Sequence, residues 1–295
     1  MQSFEAKVIQ GSRAELGESP FWDSRIGRLW WVDILGGRLH RFDPATKKEE
    51  IFEVGSLAGC VVPEEGREVA LAVKNGFASF DSKSGKLEML AAMEHENPTI
   101  RFNEGNCDPA GRFWAGTMAL GGRAGAGSLF CLERDLSVSR KIKGVSISNG
   151  IAWNQAADRM YYIDSPSQRV LEFHYDNLSG AISAPRVAIE IAASEGAPDG
   201  MCLDGEGMLW IALWGAGKVA RFNPLSGDRL AEIATPGARQ SSCCAFGGVD
   251  LETLYITTAR EHFSEADDQA QPNAGHLFEA VVGVKGVPAH PFKRL

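Results

Sequence analysis

Six short apolar runs recur along the chain at nearly constant spacing, and this repetition limits the fold more than any single motif does. They are LWWVD from Leu29, VALAV from Val69, FWAGT from Phe113, MYYID from Met160, LWIAL from Leu209 and LYITT from Leu254, with starts 40, 44, 47, 49 and 45 residues apart. A period of roughly 40 to 50 residues is that of one four-stranded propeller blade. A second strand-like run follows each of them, as in RLHRFD from Arg38 and KVARFN from Lys218. Turn clusters such as Ser82-Lys83-Ser84-Gly85 and Pro224-Leu225-Ser226-Gly227 then lead into a further strand. The pattern predicts an all-β protein, a six-bladed β-propeller with four antiparallel strands per blade, as one domain over residues 1–295. The six apolar runs are expected to be its equivalent inner strands.

Three local features refine this expectation. A closed ring must join its ends, so residues 4–10 (FEAKVIQ) are expected to add a strand to the last blade. The only helix-period candidate is a weak one over 263–269. The longest strand-free inserts, 121–127 and 260–274, are expected as loops at the channel mouth.

Composition narrows the function. The net charge is −8, and neither Lys nor Arg gathers into a basic run, which argues against nucleic acid and anionic membranes as partners. The N-terminus has no basic start followed by an apolar run, and no apolar stretch approaches the ~20 residues of a membrane helix, so a soluble cytoplasmic protein is expected. Cys60, Cys107, Cys131, Cys202, Cys243 and Cys244 lack CxxC spacing and read as buried free thiols.

One polar position repeats with the blades. Glu18 lies 11 residues before Leu29, Asn103 10 before Phe113, Asn149 11 before Met160 and Asp199 10 before Leu209. In a rotationally repeated unit, equal offset means similar height and radius, so four oxygen-bearing side chains should meet near the axis. Carboxylates brought together need a counter-charge, and carboxylate plus amide oxygens without His or Cys are ligands of a hard divalent cation. Asp23, Asp108 and Asp204 sit before small-residue turns and read as turn formers instead. His40, His95, His174, His262, His276 and His290 show no metal-binding or triad spacing.

With GESPFW at 17–22, RFNEGNCDPAGRFWAGTM at 101–118, SNGIAWN at 148–154 and PDGMCLD at 198–204, essentially the whole chain resembles the gluconolactonase/regucalcin (senescence marker protein) family of six-bladed propellers. The resemblance implies metal-dependent hydrolysis of a sugar lactone to the open-chain acid. It implies one divalent metal held by Glu18, Asn149 and Asp199; family members use Ca²⁺, Zn²⁺, Mn²⁺ or Fe²⁺ variously, and Ca²⁺ is the first expectation here. It implies that Asp199 is also the catalytic general base, and that Arg101 and Asn103 contact the lactone. Glu104, standing where many members have Asp, is carried with them on the substrate side, and Gly121 falls where some members have a substrate-contacting Glu.

Such a metal would polarise the lactone carbonyl, and Asp199 would take a water proton if one of its oxygens stays free; activation of water by the ion itself is the other route. Arg101 suits either a sugar hydroxyl or a substrate carboxylate. Competing readings are a calcium-binding regulatory protein without turnover and a phosphotriester hydrolase on the same metal site. The repeats lack the Trp-Asp or double-Gly signatures of protein-binding propellers. The particular lactone and the oligomeric state are left open.

Overall fold

The computed structural model describes residues 1–94 and 97–295. Two short strands, β1 (Gln2–Glu5) and β2 (Lys7–Ile9), precede six antiparallel blades. The first blade is β3 (Gly17–Asp23), β4 (Arg28–Asp33), β5 (Arg38–Asp43) and β6 (Lys48–Glu53). The second is β7 (Ala58–Pro63), β8 (Val69–Val73), β9 (Gly76–Asp81) and β10 (Lys86–Ala92). The third is β11 (Ile100–Cys107), β12 (Phe113–Ala119), β13 (Gly127–Leu132) and β14 (Val138–Val145). The fourth is β15 (Ser148–Trp153), β16 (Arg159–Asp164), β17 (Arg169–Asp176) and β18 (Ala181–Glu190). The fifth is β19 (Ala197–Leu203), β20 (Leu209–Trp214), β21 (Lys218–Phe222) and β22 (Arg229–Ala234). The sixth opens with β23 (Gln240–Gly247), β24 (Thr253–Ala259) and β25 (Leu277–Val281), and β2 completes it by pairing antiparallel with β25.

The expected ring closure is therefore made by β2, while β1 runs parallel to β22 as an extra strand on the fifth blade. The insert at 260–274 contains α1 (Glu265–Ala270), whose N-terminus is closed by a reciprocal cap between Ser264 and Asp267.

One expectation is corrected. The six apolar runs are equivalent, but they are the second strands β4, β8, β12, β16, β20 and β24; the innermost strands are β3, β7, β11, β15, β19 and β23, which pack against one another around the axis. The reason is visible in β4. Trp30 and Val32 face the second blade, beside Val69 and Leu71, whereas Leu29 and Trp31 face the sixth, beside Tyr255 and Leu277. A strand sandwiched between two neighbouring blades is apolar on both faces and reads as a continuous hydrophobic run. The innermost strand instead has one edge on the channel and carries the polar side chains.

All six innermost strands break register with their neighbours at the same height. The irregularities lie between Glu18 and Phe21, Ala58 and Cys60, Phe102 and Glu104, Ser148 and Ile151, Pro198 and Met201, and Ser241 and Cys243. Bulges of this kind re-aim side chains and increase local twist. In β3, β11, β15 and β19 the irregularity lies where Glu18, Asn103, Asn149 and Asp199 turn toward the channel. Close approach of the strands explains the small residues alongside: a Cβ on Gly150 would lie 2.8 Å from the Asp199 carbonyl oxygen, and one on Gly200 would overlap Cys243.

Candidate active site

Each inner strand brings its first residues to one end of the channel, where a cavity of about 180 Å³ is lined by Glu18, Arg101, Asn103, Asn149 and Asp199. These five expected site residues are thus gathered in one place. Apolar surface from Met118, Ile147 and Trp214 completes the wall, together with Ser165 and Glu261. Among the described residues no histidine lines it; His95 lies outside the described residues.

A chain of hydrogen bonds fixes the polar groups. Arg101 Nη1 donates to Asn103 Oδ1 (2.6 Å) and to the Phe102 carbonyl (3.0 Å). Asn103 Nδ2 donates to the Ser148 carbonyl (2.8 Å) and to Asn149 Oδ1 (3.1 Å). Asn149 Nδ2 donates to Ser165 Oγ (2.7 Å), which in turn donates to the Pro198 carbonyl (2.6 Å). With its nitrogen so tied, Asn149 presents its oxygen to the site.

The carboxylates are buried without matching donors. Asp199 Oδ1 has no hydrogen-bond partner, and Glu18 Oε2 accepts only a long bond from the Ser19 N–H (3.3 Å). Burial first, and then the Asp199 and Glu104 carboxylates, push Glu18 well above the ordinary range. Asp199 is likewise raised, by burial and then by Glu104. Arg101 is only 3% exposed, and burial lowers it from its usual value against the pull of Glu261, Glu18 and Asp199. Two buried acids, an amide oxygen and one unpartnered carboxylate oxygen fit a divalent cation, which would supply the missing counter-charge.

Glu104 differs from expectation. It does not line the mouth cavity; it lies in the opposite half of the channel, beside Ser19, Cys243 and His290. Its carboxylate, that of Glu18 and the Cys243 sulfur lie within 4.8 Å of one another. Arg101 and Asn103 are two residues apart and share the mouth side of β11, whereas Glu104 follows the bulge and projects the other way. Burial pushes its carboxyl up to about 7. Gly121 and its insert also stay off the axis, where Arg123, Ala124 and Gly125 border a separate cavity with Met93 and Phe130.

Sequence reasoning did not single out Ser165, Trp214 or Glu261. Ser165 directly follows the fourth apolar run and Trp214 ends the fifth strand pair, so both follow from the repeat once the second strands are placed correctly. Glu261 belongs to the 260–274 insert, of which Glu261 does line the mouth.

Asp23, Asp108 and Asp204 are the turn anchors expected, and they do more than close turns. Asp204 Oδ1 accepts from the Glu206 N–H (2.9 Å), and its other oxygen accepts from Trp210 Nε1 (3.0 Å). Asp108 repeats the arrangement with Trp114 Nε1 (2.9 Å). All six cysteines are free thiols, and all but Cys202 are fully buried.

Residues 16–260 match the sequence profile of the family described as the SMP-30/Gluconolactonase/LRE-like region. The chain belongs to this family. Among curated members, the candidate sugar lactone lactonase YvrE of Bacillus subtilis (strain 168) is 40% identical over 98% of both chains. Regucalcin of Danio rerio is 38% identical over 99% of both. The solved structure of regucalcin from Agrobacterium tumefaciens, described as a calcium-binding protein, superposes with a TM-score of 0.94 at 29% identity, covering 99% of this chain and 98% of that one. These SMP-30/gluconolactonase relatives match the propeller end to end.

Proposed function

We propose that the protein hydrolyses a sugar lactone to the open-chain acid with the help of one divalent cation held by Glu18, Asn149 and Asp199. The observation that carries this reading is the unpartnered Asp199 Oδ1, buried beside Glu18 and sharing a cavity with the donors Arg101 and Asn103. The name of the Bacillus relative, a candidate sugar lactone lactonase, supports the same chemistry. The bound cation would polarise the lactone carbonyl and stabilise the negative charge that develops on its oxygen.

The protein's own groups do the rest. Arg101 and Asn103 orient the sugar through its hydroxyls, and the apolar faces of Trp214 and Met118 cover its C–H surface. Asp199 accepts a proton from the attacking water as the new C–O bond forms. The ring C–O bond then breaks, and the proton held on Asp199 passes to the departing ring oxygen. Ca²⁺ is the first choice for an all-oxygen ligand set. No helix is long and apolar enough to cross a membrane among the described residues. The free cysteines suit a reducing compartment such as the cytoplasm.

The test is initial-rate hydrolysis of a panel of aldono- and aldarolactones after chelation, with Ca²⁺, Mn²⁺, Zn²⁺ or Fe²⁺ restored singly. Activity should vanish on chelation and return with at least one ion. Tight cation binding without turnover of any lactone would favour the non-enzymatic calcium-binding reading, which the description of the Agrobacterium relative supports.

A further inference from the structure

Glu261 is held over the channel mouth by a turn tied to its surroundings by hydrogen bonds and ion pairs. It lies two residues beyond the end of β24, in a turn where the Phe263 N–H donates to the Arg260 carbonyl (3.2 Å) and His262 adopts a left-handed backbone with φ of 60°. The Arg260 N–H donates to the Glu15 carbonyl (2.9 Å), which ties the turn to the chain entering the first blade. On the other side, Arg13 (2.9 Å) and Arg260 (3.2 Å) both pair with Asp268 of α1. The Glu261 carboxylate is partly buried, and it lies 3.4 Å from Nε2 of the exposed His262 without a Lys or Arg ion pair among the described residues.

Opposite stands Arg101, whose Nη1 is committed to Asn103 and Phe102 while its buried Nε–H has no partner. The mouth therefore offers a guanidinium donor and a carboxylate acceptor that do not pair with each other. A ligand group seated between them must accept from one and donate to the other. A hydroxyl does both; a carboxylate only accepts, and meets a like charge. Charge balance points the same way. With a divalent cation offset by Glu18 and Asp199, the charge of Arg101 is cancelled by that of Glu261, and the mouth is neutral.

We propose that Glu261 is a specificity-determining residue that cancels Arg101 and selects neutral polyhydroxy lactones over lactones bearing a second carboxylate, an inference that rests on the lactone-hydrolase reading above. Glu261→Gln keeps the shape and hydrogen-bonding reach but leaves Arg101 unopposed. The ratio of kcat/KM for an aldarolactone to that for an aldonolactone should then rise by roughly tenfold at low ionic strength, the effect of one unit charge across a partly solvated mouth, and less in high salt. Calorimetry should show aldarate, the open-chain diacid, binding the variant correspondingly more tightly, with aldonate changing less.

A merely loosened turn would depress both lactones together and leave the ratio where it was. An unmoved ratio with unmoved aldarate affinity overturns the role of Glu261 while the lactonase reading stands. Failure of the parent protein to hydrolyse any lactone overturns both.

Discussion

A carboxylate oxygen that is buried and unbonded, as Asp199 Oδ1 is, leaves the desolvation of its charge uncompensated. Burial and then the Glu104 carboxylate raise Asp199, and burial and then Asp199 raise the neighbouring Glu18, in a site already short of donors. A bound cation relieves both at once, so the two acids should be separable by substitution. Glu18→Gln keeps an oxygen ligand but removes a charge, and should weaken divalent-cation affinity at least tenfold by calorimetry while the melting temperature of the cation-free protein holds or rises. Unchanged affinity would remove Glu18 from the cation site. Asp199→Asn should lower kcat by about 10²-fold or more at full cation occupancy, the usual worth of a general base. Parent-like turnover by the loaded variant would exclude Asp199 as the base. The gathering of Glu18, Asn103, Asn149 and Asp199 was legible in the sequence, because a polar residue recurred 10 or 11 positions before the apolar run in four repeats. Glu104 was grouped with Arg101 and Asn103 as a substrate contact, although strand alternation already sets it opposite Asn103, and it borders the other half of the channel.

At the level of the strand, the bulge and the glycine beside it are what hold the ligands in place. Gly200→Ala would drive a methyl group into Cys243 on the adjacent inner strand and shift the segment that carries Asp199. Overpacking of this kind typically costs about 1–3 kcal/mol, and a matching loss of cation affinity in the refolded variant would tie the bulge to the site. The propeller itself was legible from the spacing of its repeats. The order of strands within a blade was not, since the second strand is apolar on both faces and outshines the channel-lining strand in any hydrophobicity reading.

The joint between the N-terminal segment and the first blade is a second such element. Glu49 accepts from the Ser12 N–H (3.0 Å) and hydroxyl (2.7 Å) and meets His40 Nδ1 (3.0 Å), whose ring stacks on Trp31 at 3.8 Å. Burial works to raise the Glu49 carboxyl, but the bonds from His40 and Ser12 prevail and hold it below its ordinary value. A lowered carboxylate contributes stability above its unfolded pKa of about 4.3 and loses it as pH falls through the folded value. Glu49→Gln should therefore cost about 2 kcal/mol at neutral pH, with the gap to the parent closing as denaturation is followed from pH 5 downward. A gap constant across that range would show that the charge on Glu49 is not what holds the joint.

The whole ring is fastened twice, once by β2 in the sixth blade and once by the C-terminal segment on the face away from the mouth. That segment leaves the fifth and sixth blades at Gly286, whose N–H donates to the Leu251 carbonyl (2.8 Å). It passes Val287 to His290 over the far half of the channel. It then docks on the second and third blades, where Phe292 bonds the Pro63 carbonyl (2.8 Å), Lys293 the Gly111 carbonyl (2.9 Å) and Arg294 the buried Glu64 (2.6 Å). Blades on opposite sides are thus joined by one strap, and its anchor is Phe292, fully buried with its ring 6.4 Å from that of Phe113. Phe292→Ala should cost about 3–5 kcal/mol, the range for emptying a buried aromatic site, and so lower the denaturation midpoint markedly. Arg294→Ala strands the buried Glu64 charge beside Ser79 and should also destabilise the fold, as leaving one partner of a buried ion pair alone does. Neither variant touches the mouth, so cation affinity measured below the unfolding transition should stay at the parent value. Loss of cation affinity in Phe292→Ala, with the fold otherwise intact by circular dichroism, would mean that the strap sets the geometry of the inner strands from below and that the two halves of the channel act as one.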